Sequence, residues 1–351
     1  MPADAASRRM FVTPHGRTLA FTRLGFGGAP LGNMHRTLSE VEAEATVRAA
    51  WDAGVRYFDT APLYGHGLSE SRIGRALSAE PRGAFRISTK VGRLLEPCAA
   101  GDEAAGIYQA TPPLRVRFDY SRDGVMRSFE ASLARLGLDR VDILYVHDLE
   151  PAAHGAAYEA RWDELMAGGG WRALDELRAA GDVAAIGLGV NDAAPCERML
   201  AEFDPDIFLL AGRYTLLEHG PLRGLLPACE RRCVGIVAGG PFNSGVLARA
   251  GGTFDYAPAP PEVLARVGRL RAVCERFDVA LPAAALQFVA AHPAVVSVIP
   301  GGQTPGEVAA NAAMMDAPIP PGLWTALKDE CLIDAAAPTP ALETRGVRSP
   351  F

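Results

Sequence analysis

Four polar residues, Asp59, Tyr64, Lys90 and His147, have the side chains best suited to moving a proton. Each falls at or just beyond the end of a short β-branched or apolar run: Tyr57-Phe58-Asp59-Thr60, with Tyr64 five residues after Asp59, then Arg86-Ile87-Ser88-Thr89-Lys90, then Leu144-Tyr145-Val146-His147. A phenol with a pKa of about 10 is a poor proton donor or acceptor at neutral pH. A lysine ammonium beside it favours the phenolate and lowers that pKa, while a carboxylate holds the ammonium in place and keeps it charged. A histidine on the next strand can hydrogen-bond a substrate oxygen and share in proton movement. Lys90 stands out because the 35 Lys+Arg include only two lysines, Lys90 and Lys328. A chain that uses arginine for every other cation retains lysine where a compact point charge is needed and a planar fork is not. Lys328 falls in an expected surface helix, 323–332.

The elements that must position these groups alternate. Strand patterns occupy 22–28, 57–60, 86–91, 141–147, 185–190, 207–211, 235–238 and 295–299. Helical patterns occupy 39–53, 69–78, 124–136, 171–180, 193–202, 221–231 and 261–277, with 282–291 before the last strand and 305–315 after it. Thr37 and Ser39 ahead of Glu40 and Glu42 supply capping oxygens and N-terminal acid, and Gly54 and Gly137 follow helix ends. Eight strands, each followed by a helix, need a parallel sheet, and eight close into an α/β barrel of the (β/α)8 TIM type. Such a barrel runs to about 250 residues, so 351 residues accommodate one domain over 1–351, its core about 20–333, with long βα loops and a C-terminal helix. The long stretches 93–117 and 149–170, and the Pro-rich 254–261, fall on the barrel's C-terminal face, where specificity loops lie. The segments from Met1 and beyond Ala335 read as loosely ordered ends.

Composition narrows the function class. A hydrophobic fraction of 49% and a charged fraction of 22% are globular values, and the net charge of −6 recommends neither nucleic acid nor an anionic membrane as partner. No run of about 18 apolar residues is present. Six scattered cysteines read as reduced thiols, which suits a cytoplasmic setting. His154 and His219 have no ligand-like spacing, so no metal site is expected, and His66 reads as a loop residue next to Tyr64.

The stretches GVRYFDTAPLYGHGLSESRIGRAL, STK, VDILYVHD and the glycine-rich IPGGQTP, in this order over most of the chain, resemble the aldo-keto reductase superfamily. The resemblance implies Tyr64 as general acid/base, Lys90 tuning its pKa, Asp59 paired with Lys90, and His147 orienting the substrate. It also implies hydride transfer between a nicotinamide cofactor and a carbonyl or carbinol carbon, without metal. No GxGxxG is present; Gly25-Phe26-Gly27-Gly28 has Pro30 where the third glycine would fall and reads as a tight turn. By resemblance the cofactor lies extended across the barrel mouth. Asn191 contacts the nicotinamide amide and Tyr214 stacks on the ring, with Ala211 where relatives often have glutamine. The loop Pro241, Phe242, Asn243, Ser244, Gly245 and Leu247 offers backbone N–H groups to the pyrophosphate. The stretch Gly301, Gly302 and Gln303 leads to Glu307 and then to Asn311, the match for the family's adenine contact. NADP-using relatives place basic residues where this chain has Gly301 and Glu307. A carboxylate repels a 2′-phosphate and accepts from a 2′-hydroxyl, so NAD is expected over NADP.

A narrower likeness lies in RFDYSRDGVMRSFEASLARLGLDRVDILYVHDLEP, FLLAGRYTLLE and VAGGPFNSGVLA, which look like bacterial sugar dehydrogenases of the D-threo-aldose 1-dehydrogenase and L-fucose dehydrogenase group. It implies oxidation at C1 of an aldose hemiacetal to a lactone. Pyridoxal 4-dehydrogenase shares the look, and pyridoxal is also a cyclic hemiacetal. Asp119, Tyr120 and Arg122 could serve substrate or brace their loop. A nucleotide-binding regulatory homologue without turnover is the alternative from another class.

Overall fold

Residues 5–340 are described in a computed structural model. The chain begins with an antiparallel hairpin, β1 (Arg8–Val12) and β2 (Thr18–Thr22), paired from Arg8↔Thr22 to Val12↔Thr18. It then enters eight parallel strands: β3 (Phe26–Gly27), β4 (Tyr57–Asp59), β5 (Arg86–Val91) and, after a ribbon of β6 (Arg93–Pro97) and β7 (Leu114–Phe118), β8 (Ile143–His147). β9 (Ala185–Val190), β10 (Ile207–Ala211) and β11 (Gly235–Gly239) continue the sheet, and β14 (Val295–Ile299) ends it after the short ribbon β12 (Thr253–Phe254) and β13 (Ala257–Pro258). The order β14-β11-β10-β9-β8-β5-β4-β3 is nearly closed by bridges Leu24↔Val298 and Gly27↔Gly301, giving the (β/α)8 barrel.

Strand alternation aims the polar residues. Tyr57, Tyr145, Leu209 and Val237 point into the barrel, whereas Phe58, Ile87, Leu144 and Val146 pack outward against the helices. Asp59, Lys90 and His147 share the inward parity, one or two turns of the pleat further along, and so reach the C-terminal rim. At the opposite end the hairpin closes the barrel: Phe11, Leu19 and Phe21 join the interior cluster, with the Phe21 and Tyr57 rings edge-to-face at 4.9 Å. The N-terminal segment is therefore ordered from the hairpin on, not a loose end. Its alternating Phe11, Leu19 and Phe21 fill the bottom of a cavity that β3 to β14 leave open. Likewise Ala337 is buried beyond Ala335; residues 341–351 lie outside the described residues.

The expected strand 22–28 is divided, because Thr22 pairs back to Arg8 and only Phe26–Gly27 pairs with β4. The first barrel helix, Glu40–Asp52, opens with the capping box in which Ser39 Oγ accepts from the Glu42 amide and Glu42 accepts from the Ser39 amide. The expected helix 221–231 is a 3-10 turn, Gly220–Arg223, followed by a helix over Leu225–Arg231. Within 149–170 the chain forms helices Pro151–His154 and Tyr158–Met166 rather than an irregular loop.

Candidate active site

Lys90 is 1% exposed, and its ammonium spends its three donors on Asp59 Oδ2 at 2.6 Å, Thr60 O at 2.9 Å and Tyr64 Oη at 3.0 Å. Its stem runs past Gly189, where an added Cβ would meet Lys90 Cε at 3.3 Å. Since Tyr64 accepts from Lys90, its own proton is free to point into the cavity. Asp59 is raised in pKa by burial, opposed by Lys90 and by Ser88.

Beneath this pair runs a chain of buried hydroxyls. Ser88 Oγ donates to Asp59 Oδ1 at 2.6 Å, Tyr57 Oη lies 2.9 Å from Ser88 Oγ, and Tyr145 Oη lies 3.3 Å from Tyr57 Oη. An ionised carboxylate only accepts and each hydroxyl has one proton, so all three protons point toward Asp59. Burial pushes the Tyr57 and Tyr145 phenols well above their usual pKa, which keeps them neutral donors.

His147 stands 5.8 Å from Tyr64, ring to ring and perpendicular. Burial first, then the charges of Arg93 and Lys90, hold it well below its ordinary pKa, so the imidazole is neutral and donates from one nitrogen only. Tyr120 Oη donates to the His147 carbonyl at 2.7 Å and contacts His154 Nε2 at 2.9 Å. Tyr120 thus braces the strand end, as Asp119 does through Ser121 and Arg117, and Arg122 faces Glu176 on the surface.

Tyr64 departs from the expected direction. Burial pushes its phenol well above its usual value, helped by the carboxylates of Asp59 and Asp148 and opposed by Arg93. The Lys90 charge is matched by Asp59 at 2.6 Å, so little net positive potential reaches the phenol.

These groups open onto a cavity of about 330 Å3 lined by Tyr64, Lys90, His147, Asp148 and Asn191 on the barrel side. Met34, residues 104–108 and Tyr256 wall its other side. The 93–117 segment is tied down here: the His35 amide donates to Ile107 O at 2.8 Å and the Gln109 amide to Asn33 O at 3.0 Å. The sequence placed Arg93, Tyr108 and Tyr256 only within the expected specificity loops 93–117 and 254–261, without singling them out, and pointed to neither Met34 nor Asp148. Of those two, Asp148, one residue past His147 in VHD, carried a signal that could have been read.

The residues expected at the cofactor divide into those on the cavity and those turned away. Asn191 lines it, its side-chain Nδ2 donating to Glu150 Oε1 at 3.0 Å, which leaves its side-chain Oδ1 available, while its backbone carbonyl accepts from Arg213 Nε at 2.6 Å. Ala211 lines it too. Tyr214 does not: its ring packs 5.4 Å from Phe288 and 5.3 Å from His292 in the layer between sheet and helices. Gly212 and Arg213 separate it from Ala211, which puts it past the strand end. Leu247 is likewise buried in the outer core. Asn243 is spent on bracing, donating to Gly212 O at 3.0 Å and accepting from Thr215 Oγ1 at 2.5 Å. Asn243, Ser244 and Gly245 have left-handed φ of 45°, 57° and 104°, and among the described residues the Phe242 and Ser244 amides have no acceptor. Gly301 leaves no room for a side chain, since a Cβ would lie 2.7 Å from Pro30 Cγ. Gln303 is held by Arg36 Nε at 3.2 Å and Glu307 accepts from the Gln303 amide at 2.7 Å. Gly302 packs against Val308, and Asn311 donates to Gly301 O at 3.3 Å.

The Aldo/keto reductase family model matches residues 23–329. The chain belongs to that family. It is 43% identical to a pyridoxal 4-dehydrogenase of Microbacterium luteolum over 91% of this chain and 96% of that one. To a D-threo-aldose 1-dehydrogenase of a Pseudomonas species it is 42% identical, over 92% and 96%. An L-galactose dehydrogenase of Arabidopsis thaliana is 30% identical over 84% of each. Among solved structures, the holo form of an aldo-keto reductase from Bacillus halodurans superposes with a TM-score of 0.71 at 24% identity, covering 94% of this chain and 97% of that one. Aldo-keto reductases use nicotinamide cofactors. The available side-chain Oδ1 of Asn191 on the cavity, and the unengaged Phe242 and Ser244 amides in the loop after β11, fit such a group.

Proposed function

We propose that this aldo-keto reductase is an NAD-dependent dehydrogenase that oxidises C1 of an aldose hemiacetal, of L-fucose or D-threo-aldose type, to a lactone. The observation that carries the reading is the Lys90 ammonium shared between Asp59 and Tyr64 at the floor of a cavity that His147 also faces. Asn191, the 241–245 loop and Asn311 are the residues that hold the cofactor. When bound, the oxidised nicotinamide supplies the hydride acceptor, and loss of hydride from C1 makes the lactone carbonyl. Tyr64 takes the C1 hydroxyl proton, and Lys90 and Asp59 fix the phenol's position. Neutral His147 donates a hydrogen bond to the same oxygen and so holds C1 in place. A lactone forms without water in the chemical step, which suits a cavity walled by residues 104–108.

Support for NAD comes from Glu307: it places a carboxylate at the start of the helix after β14, where it disfavours a phosphate dianion. Arg36, the nearby cation, is shared with Gln303 and Glu42. A cytoplasmic setting fits six unpaired cysteines. A second reading, pyridoxal oxidation by the same steps, is favoured by the 43% identical relative.

The test is the initial rate of nicotinamide reduction with NAD and with NADP on L-fucose, D-arabinose, L-galactose, pyridoxal and a simple alcohol. Turnover of an aldose with NAD is expected. Turnover of pyridoxal alone replaces the substrate and keeps the mechanism; cofactor binding with no turnover at all rejects the enzyme.

A further inference from the structure

Asp148 is a carboxylate with no assigned task. It follows His147 directly, adopts a left-handed φ of 47°, and donates its amide to Gly189 O at 2.9 Å. That turn brings its side chain onto the cavity wall. Oδ2 pairs with Arg93 Nη2 at 2.5 Å and lies 3.6 Å from His147 Nε2, and Oδ1 accepts from Asn191 Nδ2 at 3.3 Å. Arg93 is itself held, its guanidinium 4.6 Å above the Phe118 ring.

A carboxylate has about four lone-pair directions, of which Arg93 and Asn191 take two. The remainder is an acceptor on the cavity wall, with no further donor of the protein within hydrogen-bond distance among the described residues. Filling that site with an apolar ligand strips water from the carboxylate and returns nothing. A hydroxyl returns a charge-assisted hydrogen bond. Position decides which hydroxyl. An oxygen bound by His147 sits about 2.8 Å from Nε2, and oxygens on adjacent carbons are themselves about one hydrogen-bond length apart. The carboxylate oxygen at 3.6 Å from Nε2 is therefore within reach of the hydroxyl next to the reacting one.

We propose that Asp148 recognises the substrate hydroxyl on the carbon adjacent to the one oxidised, so that the cavity selects aldose hemiacetals that carry the C2 hydroxyl over their 2-deoxy analogues and over simple alcohols. This rests on the aldose reading above and names its specificity residue. Discrimination of this kind is steep, because the analogue lacking the hydroxyl displaces water from the carboxylate and leaves that acceptor unpaired.

The test compares kcat/KM for L-fucose against 2-deoxy-L-fucose and for D-arabinose against 2-deoxy-D-ribose, each pair differing in that hydroxyl. Wild type is expected to prefer the hydroxylated member at least tenfold, Asp148→Asn to lose most of that preference, and the loss to lie in KM. Arg93→Gln breaks the same ion pair from the other side and is expected to weaken both members alike while retaining the preference. Absence of a preference in wild type overturns the proposal without any variant, as does a preference that survives in Asp148→Asn. Should no aldose turn over at all, the aldose reading fails and the subsite with it. Turnover of aldoses with an unresponsive preference removes the subsite alone.

Discussion

Tyr64 accepts a 3.0 Å hydrogen bond from Lys90, yet its phenol is held well above its ordinary pKa. The two facts are compatible because Lys90 reaches Asp59 at 2.6 Å and Tyr64 sees an ion pair, not a lone cation. Lys90 thus acts first as a fastener that fixes where the phenol's proton points.

The pH profile should reflect this. Oxidation needs Tyr64 without its proton, and with the pKa raised the competent fraction grows about tenfold per pH unit below that pKa. Steady-state oxidation is expected to climb through neutral and into alkaline pH, while carbonyl reduction, which uses the protonated phenol, does not rise. An oxidation rate flat between pH 7 and 9 contradicts the assignment of Tyr64.

Tyr64→Phe keeps the ring and removes the proton carrier, so kcat is expected to fall by about 10²–10⁴. Lys90→Arg should cost at least about 100-fold, because a planar fork cannot meet Asp59, Thr60 O and Tyr64 from one buried point. Cofactor titration by protein fluorescence should change little in either variant. A protein that only binds nucleotide shows no rate to lose.

Ser88→Ala removes the 2.6 Å donor to Asp59 Oδ1, which favours the ionised carboxylate. The Asp59 pKa then rises further, so in the direction of carbonyl reduction, where Tyr64 is used protonated, the acid limb of kcat against pH should move to higher pH. Ser88→Thr, which retains the hydroxyl, should restore it. The phenols around Asp59, Tyr57, Tyr64 and Tyr145, are all raised in pKa and stay neutral on that limb. A drop in melting temperature with an unmoved limb assigns Ser88 to packing only.

Glu307→Arg exchanges a carboxylate for a cation at the start of its helix. The ratio of kcat/KM for NADP over NAD should rise at least about tenfold, the size of one charge-assisted contact. An unchanged ratio means that Glu307 serves only as the acceptor for the Gln303 amide.

Asp59, Lys90 and His147 were legible in the sequence because a strand has a period of two: each sits at a strand end with the parity of an inward neighbour, Tyr57, Ser88 or Tyr145. The barrel itself was legible for the same local reason, alternating short strands and amphipathic helices with capped ends. Tyr214 was not, because three residues past a strand end the alternation no longer applies, and packing against Phe288 and His292 decided its direction. Phe11 and Phe21 carry the alternation too, but the use of that hairpin as a plug exists only once eight strands leave an open end. The raised pKa of Tyr64 and the placing of Asp148 against Arg93 and His147 were also decided by tertiary structure. Both depend on burial and on charges far away in sequence, and a linear pattern shows neither distance nor solvent. Residue order determined which strand end each reactive group occupies; closure of the barrel determined what each one touches.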